Sequence, residues 1–482
     1  LFPLANLFSK VEFEDFEDAE HIREFLIKAI KAYRVFRSRG VIAKFDKDKY
    51  DEYLGFSRIG EGSLGGKGRG LAFIDSFLKR HRLFHKYKDV TISIPRTVVL
   101  STEVFDEFME SHELIDFVAN CDNDNEILAE FISKPLPKWV LEDIKAFLKV
   151  STSPIAIRSS SVLEDSHYQP FAGVFATYMI PNSESEKMLI MVSNAIKSVM
   201  ASAFFQNSKL YLKATAHSIE EDKMGVILQE VIGKQYNDVY YPNISGVARS
   251  INFYPIGNEL PNEGIANIAL GLGEIIVGGG RTLRFSPAHS KKVLQLSSPD
   301  STQRETQQYL YGLDMDPDSY KASTNESINK KKITIRRAEK HGSLKFVAST
   351  YDLQNNIIKP GVLHDGIRVV TFDNILKYNT FPLPEILQDL LRIGQREMSN
   401  PIEIEFAVKL DVPTGYPKEF SFLQIRPIIE SYEATSELPE NIDLKDTIIY
   451  SESALGNGKY DNIKDFVYVK PETFKSAKTR QI

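Results

Sequence analysis

A glycine-rich segment at residues 60–70 carries the first side chains that could bind an anion. It reads Gly-Glu-Gly-Ser-Leu-Gly-Gly-Lys-Gly-Arg-Gly, and an apolar run follows it. Glycines let the backbone turn sharply and approach a phosphate, and a helix that begins just after them would point free N–H groups at the anion. Gly65, Gly66 and Lys67 are therefore candidate phosphate-binding residues. The spacing is not that of a P-loop, because Gly68 follows the lysine, and a purely structural turn is an equal alternative.

A second candidate lies where the short apolar run 154–157 ends in Arg158. The run predicts a buried strand that places Arg158 and Ser159 at its end. A guanidinium binds phosphate oxygens in a bidentate geometry, so these two residues are candidates for contacting a polyphosphate. The equal alternative is an arginine that pairs with Glu164 or Asp165 in a surface turn.

Two predicted strands, 402–410 and 420–429, carry a third set of polar side chains. Glu405 lies between apolar neighbours on the first strand, while Gln424 and Arg426 alternate with apolar residues and so share one face of the second. Carboxylate and amide oxygens on adjacent strands suit a magnesium ion that also holds nucleotide phosphates. Glu405 and Gln424 are thus candidate metal ligands. The alternative is a cross-strand salt bridge between Glu405 and Arg426.

Two further segments add weaker candidates. In residues 271–281, glycines could line a ligand cleft or form a hairpin, and Glu274 and Arg281 could contact the ligand. The second segment is the end of an apolar strand, whose backbone could contact the edge of an adenine. Its residues are Gln229, Glu230 and Val231.

The elements that must position these residues form a mixed pattern of helices and strands, without regular βαβ alternation. Helical spacing predicts helices at 18–38, at two stretches within 102–149 broken near 121–125, at 187–212 and at 384–398. Strand-like runs cover 155–157, 224–232 and 246–254. Residues 313–340 are polar and charged, which predicts a loop or mobile insertion with a solvated Lys330–Lys332 run.

Composition limits the class of protein. The chain has 482 residues, 42% of them hydrophobic, and 59 basic against 65 acidic side chains give a net charge of −6. This balance offers no footprint for nucleic acid. The single cysteine, Cys121, excludes an internal disulfide and is typical of a reducing, cytoplasmic compartment. No apolar run approaches the roughly 18 residues that span a membrane, so no membrane partner is expected. The start lacks a secretory signal and an initiator Met, which predicts a fragment of a larger protein.

The order and spacing of the motifs together resemble the N-terminal nucleotide-binding domain of phosphoenolpyruvate synthase and pyruvate phosphate dikinase. The resemblance covers roughly residues 55–430. The segments that carry it are Leu64–Ala72, Ile157–Asp165, Phe171–Gly173, Ile227–Val231, Ser245–Val247, Gly271–Glu274, Glu403–Phe406 and Leu423–Pro427.

The resemblance implies an α+β chain with an ATP-grasp-type bilobed nucleotide-binding domain and a helical N-terminal extension. It implies that ATP and Mg²⁺ lie between the lobes, with Lys67 and Arg158 on the phosphates and Glu405 and Gln424 on metal and nucleotide. Arg426 would contact the transferred phosphate, so that Arg158 and Arg426 are the expected catalytic residues. Phosphoryl transfer needs positioning and charge neutralisation, which these side chains and magnesium can supply. The expected domain boundaries are 1–50 for the extension, 51–240 and 241–430 for the two lobes, and 431–482 for a tail that opens a truncated swivelling-type domain.

Departures from the family pattern shape the expected function. Residues 161–163 read Ser-Val-Leu where the family carries Ala-Thr-Ala, and residues 284–287 read Arg-Phe-Ser-Pro in place of a Pro-Asp pair. None of the nine histidines lies in the Gly-Gly-x-x-Ser/Cys-His context of the family's phosphate relay. The expectation is therefore a phosphotransferase module that passes phosphate from ATP to an acceptor outside this chain, such as downstream phosphohistidine and pyruvate-binding domains. The alternative is a catalytically degenerate ATP-binding regulatory module.

Overall fold

A computed structural model of the chain describes residues 42–45, 55–161, 175–214 and 223–428, together with a few isolated positions. Three predicted features lie outside the described residues. They are the helix at 18–38, the motif residues Glu164, Asp165 and Phe171–Gly173, and the tail 431–482.

The described residues form nineteen strands and twelve α-helices. In chain order the strands are β1 (Ala43–Lys44), β2 (Phe56–Ile59), β3 (Val90–Ser93), β4 (Thr97–Leu100), β5 (Ile155–Ser161), β6 (Thr177–Ile180), β7 (Met224–Glu230), β8 (Lys234–Tyr236), β9 (Val239–Tyr241), β10 (Ile244–Arg249), β11 (Ile265–Ala269), β12 (Leu283–Phe285), β13 (Tyr309–Asp314), β14 (Lys330–Thr334), β15 (Ala348–Asp352), β16 (Ile357–Pro360), β17 (Ile367–Val370), β18 (Ile402–Lys409) and β19 (Lys418–Pro427). The helices are α1 (Gly65–Arg80), α2 (Thr102–Ser111), α3 (Leu114–Asn120), α4 (Asp124–Ser133), α5 (Lys138–Val150), α6 (Ser185–Ser202), α7 (Gln206–Ala214), α8 (Glu274–Val277), α9 (Pro299–Glu305), α10 (Ile335–Lys340), α11 (Asp373–Leu376) and α12 (Leu383–Met398).

The first sheet has the strand order β1-β2-β4-β7-β5-β6, with parallel pairs at the β1 side and antiparallel pairs elsewhere. Its inner strands β5 and β7 are buried over most of their length, as expected of strands covered on both faces. Helices α2 to α6 cover one face through a core that includes Phe108, Phe131 and Phe147. The region 102–149, predicted as two helical stretches, contains four helices, and the predicted break near Cys121 separates α3 from α4.

One long helical segment in the described part of the chain is strongly apolar. Ser185–Leu210 has the length and composition to cross a membrane, which differs from the expectation that no run would do so. Within the protein, however, 72% of its most apolar window is buried. Helix α6, which makes up most of this segment, packs against β5, β6, α4 and α5. The segment is therefore apolar in the way a core helix is.

The second sheet has the order β12-β11-β10-β18-β19-β3, and all its pairs are antiparallel except β19 with β3. On one face, Ile404 and Phe406 of β18 are buried in a core that α12 also joins. A Cβ on Gly246 of β10 would lie 2.1 Å from the Phe406 ring, so this position requires glycine. Because side chains alternate along a strand, the opposite face carries Glu405 and its polar neighbours.

The first and second sheets share structural elements. Strand β3 precedes β4 by only three residues along the chain, yet β3 pairs with β19 in the second sheet and β4 belongs to the first. Helix α1 packs against β5 of the first sheet and β19 of the second. The coarse prediction of a mixed α and β chain without regular βαβ alternation is confirmed, whereas the ATP-grasp type and the domain boundaries remain predictions.

The prediction of a loop at 313–340 is confirmed for the middle, where residues 315–329 contain only the short 3-10 turn Pro317–Ser319, and is wrong for the ends of the region. Its ends belong to the third sheet, of order β14-β13-β9-β8, and to helix α10. Between them, Tyr320 is buried in the core under the first sheet, and the Asn329 side-chain amide donates to the Met179 carbonyl at 2.6 Å. Polar side chains made this sequence look like a loop throughout. Several of them, such as Asn329 and Lys330, have partners within the protein. The remaining sheet has the order β16-β15-β17.

The Lys330–Lys332 run is likewise not uniformly solvated. The Lys330 side chain is 6% exposed and its ammonium group lies 2.5 Å from a Glu274 carboxylate oxygen, whereas Lys332 is exposed and lies over the Tyr309 ring. Lys330→Ala is expected to lower the free energy of unfolding by about 2 kcal/mol, because the Glu274 carboxylate loses a charged hydrogen-bond partner. Lys332→Ala is expected to cost less than about 1 kcal/mol. Urea unfolding of both variants measures the difference, and equal midpoints would contradict a stabilising role for the Lys330–Glu274 pair.

Candidate functional site

The glycine-rich segment forms the first turns of α1. The helix begins at Gly65 and not, as predicted, after the glycines. The Gly68 amide donates to the Ser160 hydroxyl at 2.9 Å, and that hydroxyl donates to the Leu64 carbonyl at 2.6 Å. These contacts fix the start of the helix on the end of β5. The amide groups of the first helical turn and the side chain of Lys67 are therefore placed next to Arg158 and Ser159.

Gly65 lies where only glycine fits. Its φ is +71°, and a Cβ there would lie 1.6 Å from the Ser160 carbonyl oxygen. Gly66 and Gly68 are also buried, and a Cβ on Gly68 would lie 3.4 Å from the Ser160 hydroxyl. Close contact between the two backbones explains the glycines without any ligand, but it also sets the position of Lys67. The Lys67 ammonium group lies 3.4 Å from the Ser159 hydroxyl.

Arg158 connects the two sheets. It lies on β5, between β7 and the edge strand β6 of the first sheet, and its side chain is only 14% exposed. Its guanidinium lies 3.5 Å from the side-chain oxygen of Gln229 on the neighbouring strand. Across the cleft it lies 3.3 Å from a Glu405 oxygen and 3.0 Å from the Gln424 side-chain oxygen. This burial contradicts the alternative of an arginine in a surface turn.

A β-bulge adds a fourth contact to this arginine. In the pairing of β18 with β19, Glu405 faces Gln424 and the next residue, Phe406, faces Phe422, so Leu423 has no partner. A bulge releases a backbone group from the strand ladder. The Leu423 carbonyl oxygen lies 3.4 Å from the Arg158 guanidinium. The bulge thus presents a backbone acceptor where the two sheets meet.

Arg426 does not pair with Glu405. The register places Arg426 opposite Glu403, and the Arg426 Nε donates to a Glu403 oxygen at 2.8 Å. Arg249 on β10 holds the other Glu403 oxygen. The predicted alternative, a Glu405–Arg426 salt bridge, is therefore wrong, because the strands are aligned two residues away from that pairing. Glu405 is left facing Arg158, and Glu403 is a partner that sequence reasoning missed.

Glu403 is an ionised carboxylate in a buried setting. Burial raises its pKa, but the charges and hydrogen bonds of Arg426 and Arg249 outweigh that effect and hold the pKa below its usual value. A carboxylate with a lowered pKa in the folded state stabilises the protein above its unfolded pKa, and this contribution disappears as the pH falls through the folded pKa.

Glu403→Gln should therefore destabilise the protein in a pH-dependent way. At neutral pH the variant is expected to lose about 3 kcal/mol, because two arginines lose a carboxylate that is 6% exposed. The gap to the wild type should narrow as the pH falls below the ordinary Glu value of 4.5. Urea unfolding of both proteins from neutral to acidic pH measures the gap. A gap that stays constant with pH would contradict the assignment.

At the end of β7, the Gln229 side chain reaches Arg158, whereas Glu230 has other partners. Gln229 is buried, and its amide nitrogen donates to the Thr97 hydroxyl at 3.0 Å, which turns its oxygen towards Arg158. The Glu230 carboxylate instead accepts from the Ser151 hydroxyl at 2.7 Å. The backbone N–H groups of Glu230 and Val231 donate to the carbonyls of Arg96 and Pro154. These two N–H groups are therefore not available to an adenine in this structure, and the broader expectation of a backbone contact at this strand end stays a prediction.

Glu274 belongs to a separate polar contact. It begins the short helix α8 and accepts from the Ser327 hydroxyl at 2.7 Å and from Lys330. Burial raises the pKa of Glu274, but the Lys330 charge and the two hydrogen bonds outweigh it and hold the pKa below its usual value. Lys330 is a second residue that sequence reasoning missed, and nothing in the Lys330–Lys332 run distinguishes it from its neighbours.

The arrangement can hold a divalent cation with help from a ligand. Among the described residues, no group of three or more His, Cys, Asp or Glu side chains is placed to hold a metal alone. The Glu405 and Gln424 oxygens nevertheless converge, since both lie within 3.3 Å of one Arg158 nitrogen. Two oxygen ligands completed by phosphate oxygens and water form a set that Mg²⁺ accepts. The residues present therefore fit a magnesium–nucleotide complex.

Comparison with known proteins agrees with this chemistry. The AMP/ATP-binding domain of pyruvate phosphate dikinase, as a family model, matches residues 61–446. Over 191 residues the chain is 28% identical to YvkC, an uncharacterized phosphotransferase of Bacillus subtilis (strain 168). That alignment covers 40% of this chain and 21% of the relative. The chain thus matches about a fifth of the length of that relative.

Proposed function

Because the chain belongs to the family of pyruvate phosphate dikinase AMP/ATP-binding domains, we propose that it binds ATP with Mg²⁺ and passes a phosphoryl group to an acceptor outside the chain. The acceptor would lie in other domains of a longer protein, as the short share of YvkC that aligns suggests. We further propose an ATP-grasp arrangement, in which the first and second sheets form the two walls of the nucleotide cleft.

One observation carries the proposal. The Arg158 guanidinium lies within 3.5 Å of three side-chain oxygens. One belongs to Gln229 on the first sheet, and the others belong to Glu405 and Gln424 on the second. The first turn of α1, with Lys67, lies beside it. Phosphoryl transfer requires in-line positioning and neutralisation of phosphate charge. Two cations, helix amides and two oxygen ligands from both walls meet these requirements.

Each residue has a proposed role. Lys67, Arg158 and the amide of Gly66 bind phosphate oxygens, and Ser159 orients Lys67, whereas the Gly65 amide donates to the Ser63 hydroxyl at 3.1 Å and instead shapes the turn. Glu405 and Gln424 hold magnesium, which when bound neutralises phosphate charge. In this structure the Arg158 guanidinium occupies the space between these two oxygens, so nucleotide binding would draw it towards the phosphates.

Arg426 is proposed to contribute its charge to the transferred phosphate while Glu403 holds its guanidinium in place. The Arg426 guanidinium has its Nε and one terminal nitrogen on a single Glu403 oxygen. Two of the five N–H donors of the guanidinium point to Glu403, which thereby fixes its orientation. Glu403 is thereby a positioning residue in the proposed site.

The base has an apolar neighbourhood available. Ala156, Val231 and Leu272 belong to a small buried cluster next to Gln229. Nucleotide sites are lined mainly by apolar side chains with a few polar groups. Adenine is proposed to lie against this cluster. Glu230 and Glu274 would then not contact the nucleotide. Glu230 would hold the end of β7, and Glu274 would hold Lys330.

Calorimetric titration with a non-hydrolysable ATP analogue tests the proposal. The wild-type chain is expected to bind with Mg²⁺ and to bind far more weakly without it. Glu405→Gln is expected to raise the Mg²⁺ concentration needed for half-maximal binding about tenfold, because the metal loses a charged ligand. Glu419→Gln, which changes a glutamate on β19 that pairs with Lys409, serves as the matched control. Absence of binding by the folded wild-type chain, or binding that does not depend on Mg²⁺, would contradict the proposal.

A further inference from the structure

A cavity of about 820 Å³ lies beside the outer strand of the second sheet. Its walls are the loop after β10, the turn before β12, and residues 289–297. Its volume falls in the range of about 300–1,000 Å³ that is typical of small-molecule sites. The proposed ATP site includes none of the residues that line it.

The cavity is locally basic in a chain of net charge −6. Four arginine and lysine side chains line it against two glutamates. The basic residues are Arg281, Arg284, Lys291 and Lys292, and the acidic ones are Glu259 and Glu305. A concave surface that collects one sign of charge attracts ligands of the opposite sign.

Contacts inside the wall determine which of these charges a ligand would meet. The Arg284 guanidinium donates to the Asn252 side-chain oxygen at 2.9 Å and to the Tyr254 carbonyl at 2.7 Å, so its orientation is fixed. The Glu259 carboxylate accepts from the Asn252 amide at 2.9 Å and from a backbone N–H, so it keeps its charge but is held in the wall by these bonds. The side chains of Arg281, Lys291 and Lys292 form no hydrogen bond or ion pair with any of the described residues.

An apolar surface accompanies the charges. Ile256, Val293 and Leu294 line the same cavity, and the Leu294 side chain is left largely exposed. Isolated exposed apolar residues are common, but here they line a basic cavity. The combination fits a ligand with an anionic end and an apolar body.

The cavity is separate from the nucleotide cleft, although both open on the same sheet. One row across that sheet contains Arg284, Asn267, Val247 and Glu405. Three strand spacings of about 4.8 Å place the backbone of Arg284 roughly 14 Å from that of Glu405. A ligand held by Arg281 and the lysines therefore would not share the magnesium ligands.

We propose that this cavity is a second ligand site, which binds a small organic phosphate with an apolar body. A phosphate group carries up to two negative charges and three acceptor oxygens, which suits Arg281, Lys291 and Lys292, whose side chains have no partner among the described residues. The apolar body would contact Ile256, Val293 and Leu294. The sequence offers Arg281 as a weaker candidate for contacting a ligand, and the proposed ATP site does not use it.

Fluorescence titration of the chain with 1-naphthyl phosphate tests the site. Saturable binding is expected, with weaker binding of 1-naphthol, which lacks the charge, and of inorganic phosphate, which lacks the apolar body. The double variant Lys291→Gln/Lys292→Gln is expected to weaken binding of the probe about tenfold or more, because two charged contacts are lost. The matched double variant Arg336→Gln/Lys340→Gln removes two exposed charges from α10 and is expected to change nothing.

The variant Lys67→Ala separates this site from the nucleotide cleft. It removes a charge from the proposed ATP site and should leave binding of 1-naphthyl phosphate unchanged. Loss of probe binding in Lys67→Ala would assign the probe to the cleft and overturn the proposal. Equal losses in the two double variants would indicate diffuse attraction and overturn it too, as would an absence of saturable binding to the folded chain.

Discussion

Replacing Arg158 with alanine is expected to lower the affinity of the chain for an ATP analogue with Mg²⁺ at least about a hundredfold. Each charged hydrogen bond to phosphate contributes about 1.5–3 kcal/mol, and a guanidinium can form two of them side by side. Calorimetric titration measures the loss.

Two controls make the Arg158 result specific. Arg158→Lys keeps the charge but not the planar fork, so an intermediate affinity is expected. Arg392→Ala removes an arginine whose side chain is 66% exposed on α12, and it should bind as the wild type does. Thermal unfolding verifies that the variants are folded. Wild-type affinity in a folded Arg158→Ala protein would remove this residue from the nucleotide site.

Gly65→Ala is expected to be the most destabilising of the substitutions considered, at about 4 kcal/mol or more. The left-handed backbone at this position costs a residue with a Cβ about 1–2 kcal/mol. The added Cβ would also lie 1.6 Å from the Ser160 carbonyl oxygen, a distance that no rotamer change can relieve because both atoms are tied to the backbone. The start of α1 must move away from β5, and Lys67 must move with it. Urea unfolding and nucleotide titration should therefore both show the change.

Gly415→Ala isolates the backbone contribution. Gly415 has a similar left-handed φ of +83°, and a Cβ there would meet no atom within 4 Å. This variant is expected to lose only about 1 kcal/mol and to bind nucleotide normally. If Gly65→Ala were no more destabilising than Gly415→Ala, the close contact between α1 and β5 would not be maintained in solution.

Single-strand and single-helix features were readable from the sequence because each depends on local pattern. The apolar run before Arg158 predicted β5, and helical spacing at 384–398 predicted α12 almost to its ends. The motif order also placed the chain in its family, which the family model over residues 61–446 confirms. Pattern alone was enough here because α12 buries one face at helical spacing and β5 begins with a short apolar run that is buried on both faces.

Pairing between elements was harder to predict. Whether Arg426 faces Glu403 or Glu405 depends on the strand register, and the Leu423 bulge is a further irregularity that no alternation pattern announces. Lys330 illustrates a different difficulty. Its burial depends on Glu274, a residue 56 positions away, so the local run of lysines was misread as a solvated surface. The start of α1 was also misplaced, because the glycines that fit against Ser160 were interpreted as a loop.

The short connection between β3 and β4 has a mechanical consequence. Residues 94–96 join the edge strand of one sheet to an inner strand of the other, and the Arg96 side chain is held by the Val150 carbonyl and Glu230. A covalent link this short permits the sheets to rotate about it but hardly to slide apart. In such a rotation, displacement grows with distance from the pivot. Strand β12, five strand spacings or about 24 Å from β3, would travel furthest. The largest displacement in such a rotation would therefore occur at the wall of the basic cavity, to which Arg284 of β12 belongs.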